Sequence, residues 1–327
     1  MPATKFRRVQ TGKQTVYGTA VPATSRRMGI TDATFTPVPV VEVIEELGTL
    51  APGSIAKLVG YSTKGLIKGV ASYEDLPYDL DALFGIATPT GGPGSYIYAY
   101  TAPTIAAPSP RINSFEFNQP GYAYLYGGNL LRTWMLEIES AKMWAYQSAF
   151  LGTTDIVTTL SVCPARAVEA ITAAETIIYV DAFGAAPGIG QTAFPNTGVK
   201  ATLAVDTGRH TKQFIGNALP TDWGFNQWSG TLKLTCELNT ASKALLDVIA
   251  QANPQTLQRQ FRFKATSLAT GHIAQVDFAG VCDSLDDLFG DREGNQTITL
   301  NFKGNVDVAG LGNWLAASVT NGIAALT

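Results

Sequence analysis

Apolar and polar residues alternate along much of the chain. Tyr96, Tyr98 and Tyr100 form one period-two run, and Phe115 with Phe117 another. Trp134, Leu136 and Ile138 follow, then Leu232, Leu234 and Cys236, then Phe261 with Phe263, Val276 with Phe278, and Ile298, Leu300 and Phe302. Period-two spacing in β-branched and aromatic residues, bounded by Gly, Pro or Asn, predicts strands buried on one face. Helical spacing is rarer. Tyr73-Glu74-Asp75-Leu76-Pro77 opens a helix that carries Leu80, Leu83 and Phe84 and stops at Gly85. A second opens at Asn239 or Thr240, carries Leu245, Val248 and Ile249, and ends at Asn253-Pro254. A third, shorter helix is expected over Asp283 to Phe289. Gly91–Gly94, Pro103–Pro110 and Gly184–Gly190 read as loops. The fold class is therefore mostly β (a β-rich α+β fold).

The same order of elements runs twice. Gly65–Lys68 aligns with Gly230–Lys233 at an offset of 165, and the two helix faces follow at the same offset. Tyr96 and Tyr98 then align with Phe261 and Phe263, Ser114–Phe117 with Gln275–Phe278, and Trp134, Leu136 and Ile138 with Ile298, Leu300 and Phe302. Fixed-period similarity of this kind points to duplication. It predicts two tandem antiparallel β-sandwich or barrel domains, 1–160 and 161–327, each with one flanking helix and the second with a C-terminal extension.

Composition adds a constraint. Charged residues make up only 15% of the 327 positions, against about 25% in ordinary globular chains, while apolar residues reach 46%. Such a chain has too few ions to cover its surface, which points to an assembly. A compact monomer of this mass would expose about 13,000 Å². No uniformly apolar run of about 20 residues is present, so no membrane span is expected, and the N-terminus has no apolar segment of the kind a signal peptide carries. The net charge is −3. The largest basic grouping, Lys5, Arg7, Arg8, Lys13, Arg26 and Arg27, reads as a solvated N-terminal arm, well short of a nucleic-acid interface.

Candidate chemistry is thin. Cys163, Cys236 and Cys282 are too scattered for a zinc site or a disulfide framework, and His210 and His272 stand in no known motif. The string GxxxxGK[ST] and the patterns GxGxxG and GxSxG do not occur, so no phosphate loop, dinucleotide fingerprint or nucleophile elbow is expected. Asp283, Asp286, Asp287, Asp291 and Glu293 miss the EF-hand order and read as a solvated acidic face, as do Glu42, Glu45 and Glu46. Trp223, Phe225 and Trp228 could stack on sugar or bases, but flanking glycines favour packing on the core. No metal, cofactor or catalytic residue is expected, and the chain is not read as an enzyme.

The opening Gly12-Lys13-Gln14-Thr15-Val16-Tyr17-Gly18-Thr19-Ala20-Val21-Pro22-Ala23-Thr24 resembles the start of major tail tube proteins of long-tailed (siphovirus-type) bacteriophages. Looser similarity continues through Pro52-Gly53, the strand near Gly65, the helix ending Leu83-Phe84-Gly85, and the strand Thr297 to Gly304. The resemblance implies a structural protein of the virion tail, assembled in the host cytoplasm. Its sheets would join across subunits into stacked rings around a tape-measure protein, contact other tail proteins, and pass DNA only in transit. Two repeats per chain would make the ring a trimer with pseudo-sixfold symmetry; a single larger domain would make it a hexamer. The contacts between subunits or rings are expected in the arm Lys5–Thr24, with Lys5, Arg7, Arg8, Lys13 and Tyr17, and in Val306–Thr327, with Trp314, because both lie outside the repeated strands. A capsid decoration protein, a tail terminator and a carbohydrate-binding module are the alternative readings.

Overall fold

The computed structural model describes residues 6–45, 47, 52–53, 55–106, 109–184, 188–250 and 257–326. Strands β1 (Arg8–Gln14), β2 (Ser25–Arg26), β3 (Ile30–Ile44) and β4 (Ile55–Val70) lead into helix α1 (Leu76–Leu83). The short β5 (Thr90–Gly92) and β6 (Ser95–Thr101) follow, then β7 (Ile112–Gln119), β8 (Tyr122–Glu139), β9 (Ala145–Gly152) and β10 (Thr154–Thr158). The second half has β11 (Thr176–Ala182), β12 (Gly198–Asp206), the short β13 (His210–Lys212) and β14 (Asp222–Gly224), β15 (Ser229–Glu237) and helix α2 (Thr240–Ala250). It closes with β16 (Gln258–Thr266), β17 (Ile273–Arg292), β18 (Asn295–Gly304) and β19 (Leu315–Asn321). The protein is mostly β, and every ladder is antiparallel.

Each half is a sandwich whose two sheets share one long bent strand. In the first half, Tyr122–Asn129 of β8 pairs with β7 and β10, and Leu130–Glu137 of the same strand pairs with β9. Gly127-Gly128 marks the corner: Gly128 sits at φ +64°, and a Cβ there would run into Thr153. In the second half β17 does the same, pairing with β16 and β19 through its first part and with β18 through its second. The pairing order coincides strand for strand. β1-β7-β8-β10 corresponds to β11-β16-β17-β19, and β3-β4-β9-β8 corresponds to β12-β15-β18-β17.

This correspondence corrects three of the sequence alignments. β6 has no partner in the repeat, because the β5–β6 hairpin is an insertion after α1 that pairs with β19 and extends the second half's sheet. The strand of Phe115 and Phe117 therefore matches that of Phe261 and Phe263, and β9 rather than the Trp134 strand matches β18. The halves also share one apolar core, from Phe35, Trp134 and Phe150 to Phe263, Phe278 and Leu300, so residue 160 does not divide the packing.

The helices α1 and α2 form where the sequence places them. Asn239 caps α2, its Oδ1 accepting from the N–H groups of Ala241 (2.9 Å) and Ser242 (3.0 Å), while Ser242 Oγ accepts from the Asn239 N–H. The continuation past Ala250, with the expected stop at Asn253-Pro254, lies outside the described residues. The third expected helix is overturned: Asp283–Phe289 belongs to β17. A seven-residue run cannot nucleate a helix alone, and β18 offers it a ladder, with Leu285 opposite Leu300.

Candidate assembly surfaces

The two inner sheets fuse. Glu139 to Thr133 of β8 pair with Lys200 to Asp206 of β12, giving one continuous sheet in the order β3-β4-β9-β8-β12-β15-β18-β17. Its inward face is apolar, carrying Trp134, Leu136, Leu203, Leu232, Leu234, Leu300 and Phe302, all buried. Its other face is mixed: Gln147, Glu137, Thr202, Lys233, Asn301 and Ser284 lie on neighbouring strands across it, and Leu66, Met135 and Leu151 lie half-buried on the β4, β8 and β9 part of the same face. Charge on that face is mixed. Lys200 lies 2.9 Å from Glu137 and 3.3 Å from Glu139, and Lys233 lies 3.4 Å from Asp286. Hydrogen bonds from Asn301 and Lys233 hold the Asp286 carboxyl below the usual carboxylate range, and the bond to Glu137 raises the Lys200 ammonium. Lys64, Lys68 and Arg132 lie on the same face, and among the described residues they have no ion pair.

Among the described residues both ends of this sheet are open. There β3 pairs with β4 alone, and beyond Cys282 the second part of β17 pairs with β18 alone. An unpaired edge is a template for another strand. Pro37 and Pro39 lie on β3, and a proline fits an edge strand only with its missing N–H turned from the ladder. They therefore confine further pairing to the part of β3 before them.

Beyond Pro39 the described residues of the β3–β4 hairpin form an apolar arm. Val40, Val41, Val43, Ile44, Ile55 and Leu58 are each about half exposed. The folded chain exposes 15,972 Å², some 3,000 Å² more than a compact monomer of its mass. Glu42, Glu45 and Glu46 read in sequence as a solvated stretch and give no sign of this arm. Glu42 and Glu45 are exposed, and Glu46 lies outside the described residues. The missed signal was the β-branched run beside two prolines.

The six residues expected at interfaces do not form one patch. Lys5 lies outside the described residues. Arg8–Gln14 is no free arm but strand β1, paired along its length with β7. Arg7 and Arg8 are exposed beside Arg26 at a cleft of about 440 Å³, while Lys13 is exposed near the far end of β1. Tyr17 is half-buried; burial and the nearby Asp222 carboxylate push its hydroxyl pKa upward. Trp314 belongs to the core, 7% exposed and edge-on to Phe278 at 6.2 Å. The expected C-terminal extension is also largely a sheet element, since Leu315–Asn321 forms β19.

Trp228 packs against Phe84 and under Arg209, Trp223 pairs with Phe225, and Phe225 and Trp228 line one cleft with Trp314. Cys163 and Cys236 are buried and Cys282 half-buried, all three as free thiols. His272 Nδ1 lies 3.4 Å from Glu74 and 3.5 Å from Glu169. Among the described residues no group of His, Cys, Asp and Glu is arranged to hold a metal ion, and no helix is long and apolar enough to cross a membrane. No protein-family model and no curated protein matches the chain.

Proposed function

We propose that the protein is a tail tube subunit of a long-tailed bacteriophage, a structural component whose copies join sheet to sheet into rings. One observation carries this reading: an eight-stranded sheet, apolar on its inner face, whose two end strands have no further partner among the described residues. Its strands alternate in direction and are even in number. A second copy placed head to tail therefore meets β3 with β17 in antiparallel sense, and the sheet continues without a break.

Repetition closes such a contact into a ring. Three copies would contribute twenty-four strands. At about 4.8 Å between strands and about 40° of tilt, the backbone diameter would be roughly 48 Å. That leaves room for double-stranded DNA or a tape-measure protein once side chains are added. The outward face would line the lumen, where Glu137, Glu139 and Asp286 are interspersed among the cations, unlike the continuous basic stripe that grips phosphate. The projecting hairpin and its bare valines fit contacts between stacked rings. The reading assigns the protein no catalytic role.

Electron microscopy of the purified chain at high concentration tests this. Hollow tubes or rings with threefold end views are expected; solid particles, or monomers at every concentration, would overturn the reading. Replacing Val40–Val59 by an Asn-Gly turn should leave the melting temperature within a few degrees and abolish stacking. Unchanged tubes from that variant would remove the arm from the inter-ring contact.

A further inference from the structure

We propose that the basic cleft beside β3 is the docking site for the acidic end of β17 of a second copy, an electrostatic clamp that sets the register of the sheet junction. This rests on the ring reading above and adds the residues that fix it. The cleft is lined by Arg7, Arg8 and Arg26, with Phe117 on one wall and Asp32 at the β3 side. Arg7 lies over the Phe117 ring at 5.9 Å. Among the described residues neither Arg8 nor Arg26 has a side-chain hydrogen bond or ion pair. These cations gather at the first residues of the open β3 edge, where β2 and β1 pair.

The opposite charge lies at the other open edge. Asp283 and Asp286 stand along the second part of β17, and Asp291 and Glu293 follow where it turns into β18, all of them exposed. The ends also match. Ile30 begins β3 at the sheet end where β4 finishes, the end that also holds the β8–β9 turn and the start of β12. Following the ladders onward, that end holds Glu237, Thr297 and the turn after Arg292. A head-to-tail copy thus brings Asp291 and Glu293 to Arg7, Arg8 and Arg26 while β17 lies antiparallel to residues 30–36 of β3. A slip of one residue would turn every polar side chain to the wrong face, and a clamp of fixed charges selects against it.

The test reverses charges on the exposed members only. Arg7→Glu with Arg8→Glu, or Asp291→Lys with Glu293→Lys, should raise the concentration for ring formation, followed by light scattering, at least tenfold. All four changes in one chain should restore it to near the wild-type value. Wild-type rings should also weaken between about 50 and 500 mM salt, as screened charges do. If either reversed pair assembles at the wild-type concentration, if the four changes together fail to rescue, or if wild-type assembly ignores salt, the clamp is wrong and the ring reading stands. A wild-type chain that never forms rings overturns both.

Discussion

The two halves run equivalent strands in the same order, yet they treat their hairpins and helices in opposite ways. The first half extends β3 and β4 far beyond the core. The second half folds the equivalent connection, residues 207–228, back as β13 and β14. That folded connection then supports the base of the arm: Ala218 O accepts from the Tyr61 N–H (2.9 Å) and Gln213 reaches Val59 O (3.2 Å). The helices differ as sharply. Every residue of α1 is buried, Asp79 and Asp81 included, whereas α2 buries Leu245 and Ile249 and leaves Lys243 and Asp247 in solvent.

The difference follows from position. α1 lies at the join, with the second half closing over it. Arg209 donates to Ala82 O (2.5 Å) and Leu83 O (2.6 Å), satisfying carbonyls that the helix end leaves open. Burial lowers the Arg209 pKa to about 9, which still leaves it charged at neutral pH. Arg27, Arg111 and Arg166 face the Tyr78 ring at 5.0–5.3 Å, each also facing one of the carboxylates of Asp79, Asp81 and Asp75. One repeat has thus become the anchored centre and its copy the periphery.

The largest effect expected from this contrast is at Asp79. Its carboxylate pairs with Arg27 and accepts from Ser148 Oγ at 2.9 Å, both charged side chains being almost fully buried. Asp79→Ala should cost about 3–5 kcal/mol, because a buried guanidinium is left without its counter-charge. A loss under 1 kcal/mol in denaturant melts would mean that water reaches α1 and that it is not the anchored helix.

Next come two glycines at corresponding places. Gly65 on β4 lies under the Phe35 ring, and Gly230 on β15 lies under Trp314; a Cβ at either would overlap the ring above it. Gly→Ala should cost about 1–3 kcal/mol at both sites through overpacking. Gly230 should be the worse, since Trp314 is wedged over Gly304 as well. Equal and negligible losses at the two sites would show that the rings can move aside, and would remove this common feature of the repeats.

How far the sequence reveals all this depends on the kind of force involved. Strands such as β15 and β18 are legible because one face is core and the other solvent, which writes a period of two. Both helices are legible because proline, asparagine and glycine mark their ends. β17 misleads: Leu285 and its neighbours carry helical spacing, and only the ladder to β18, a contact with no local signature, makes them a strand. Trp314 misleads in reverse. Its place outside the repeated strands suggests an interface contact, although Gly230 and Gly304 in facing strands are the trace of a ring lying close over the backbone. The buried arginines were illegible, since Arg27, Arg111 and Arg209 look in sequence like any surface cation. The open edges were invisible too, because an edge is defined by the partner it lacks.

A smaller effect separates burial from pairing inside α1. Asp81 accepts from Tyr100 Oη at 2.9 Å and from the Ala87 N–H at 3.1 Å, while Arg111 stands off at 3.9 Å. Burial therefore wins and raises its pKa. Below the ordinary carboxylate range both folded and unfolded chains hold the proton, and the group is neutral to stability. As pH rises, the unfolded chain ionises first, so the folded state loses stability until the pH passes the raised value. Asp81→Asn keeps the acceptor and removes the charge. The wild type should lose stability relative to this variant as pH climbs from about 3 to 6. A gain over that range would mean that Arg111 dominates.

The smallest effects belong to α2. Asn239→Ala removes the cap of an otherwise solvated helix end and should cost about 1 kcal/mol. Lys243 and Asp247 form an exposed i,i+4 pair, in the order less favourable to the helix dipole, so Asp247→Ala should cost no more than about 0.3 kcal/mol. The contrast with Asp79 is the point of this measurement, since an Asp→Ala change made at both helices should differ about tenfold in cost. If Asp247→Ala costs the monomer more than about 1 kcal/mol, the outer face of α2 is covered, and the second half is no periphery. If the cost appears only at concentrations where the protein assembles, that face is solvated in the single chain and covered by a neighbour, and the contrast holds for the monomer alone.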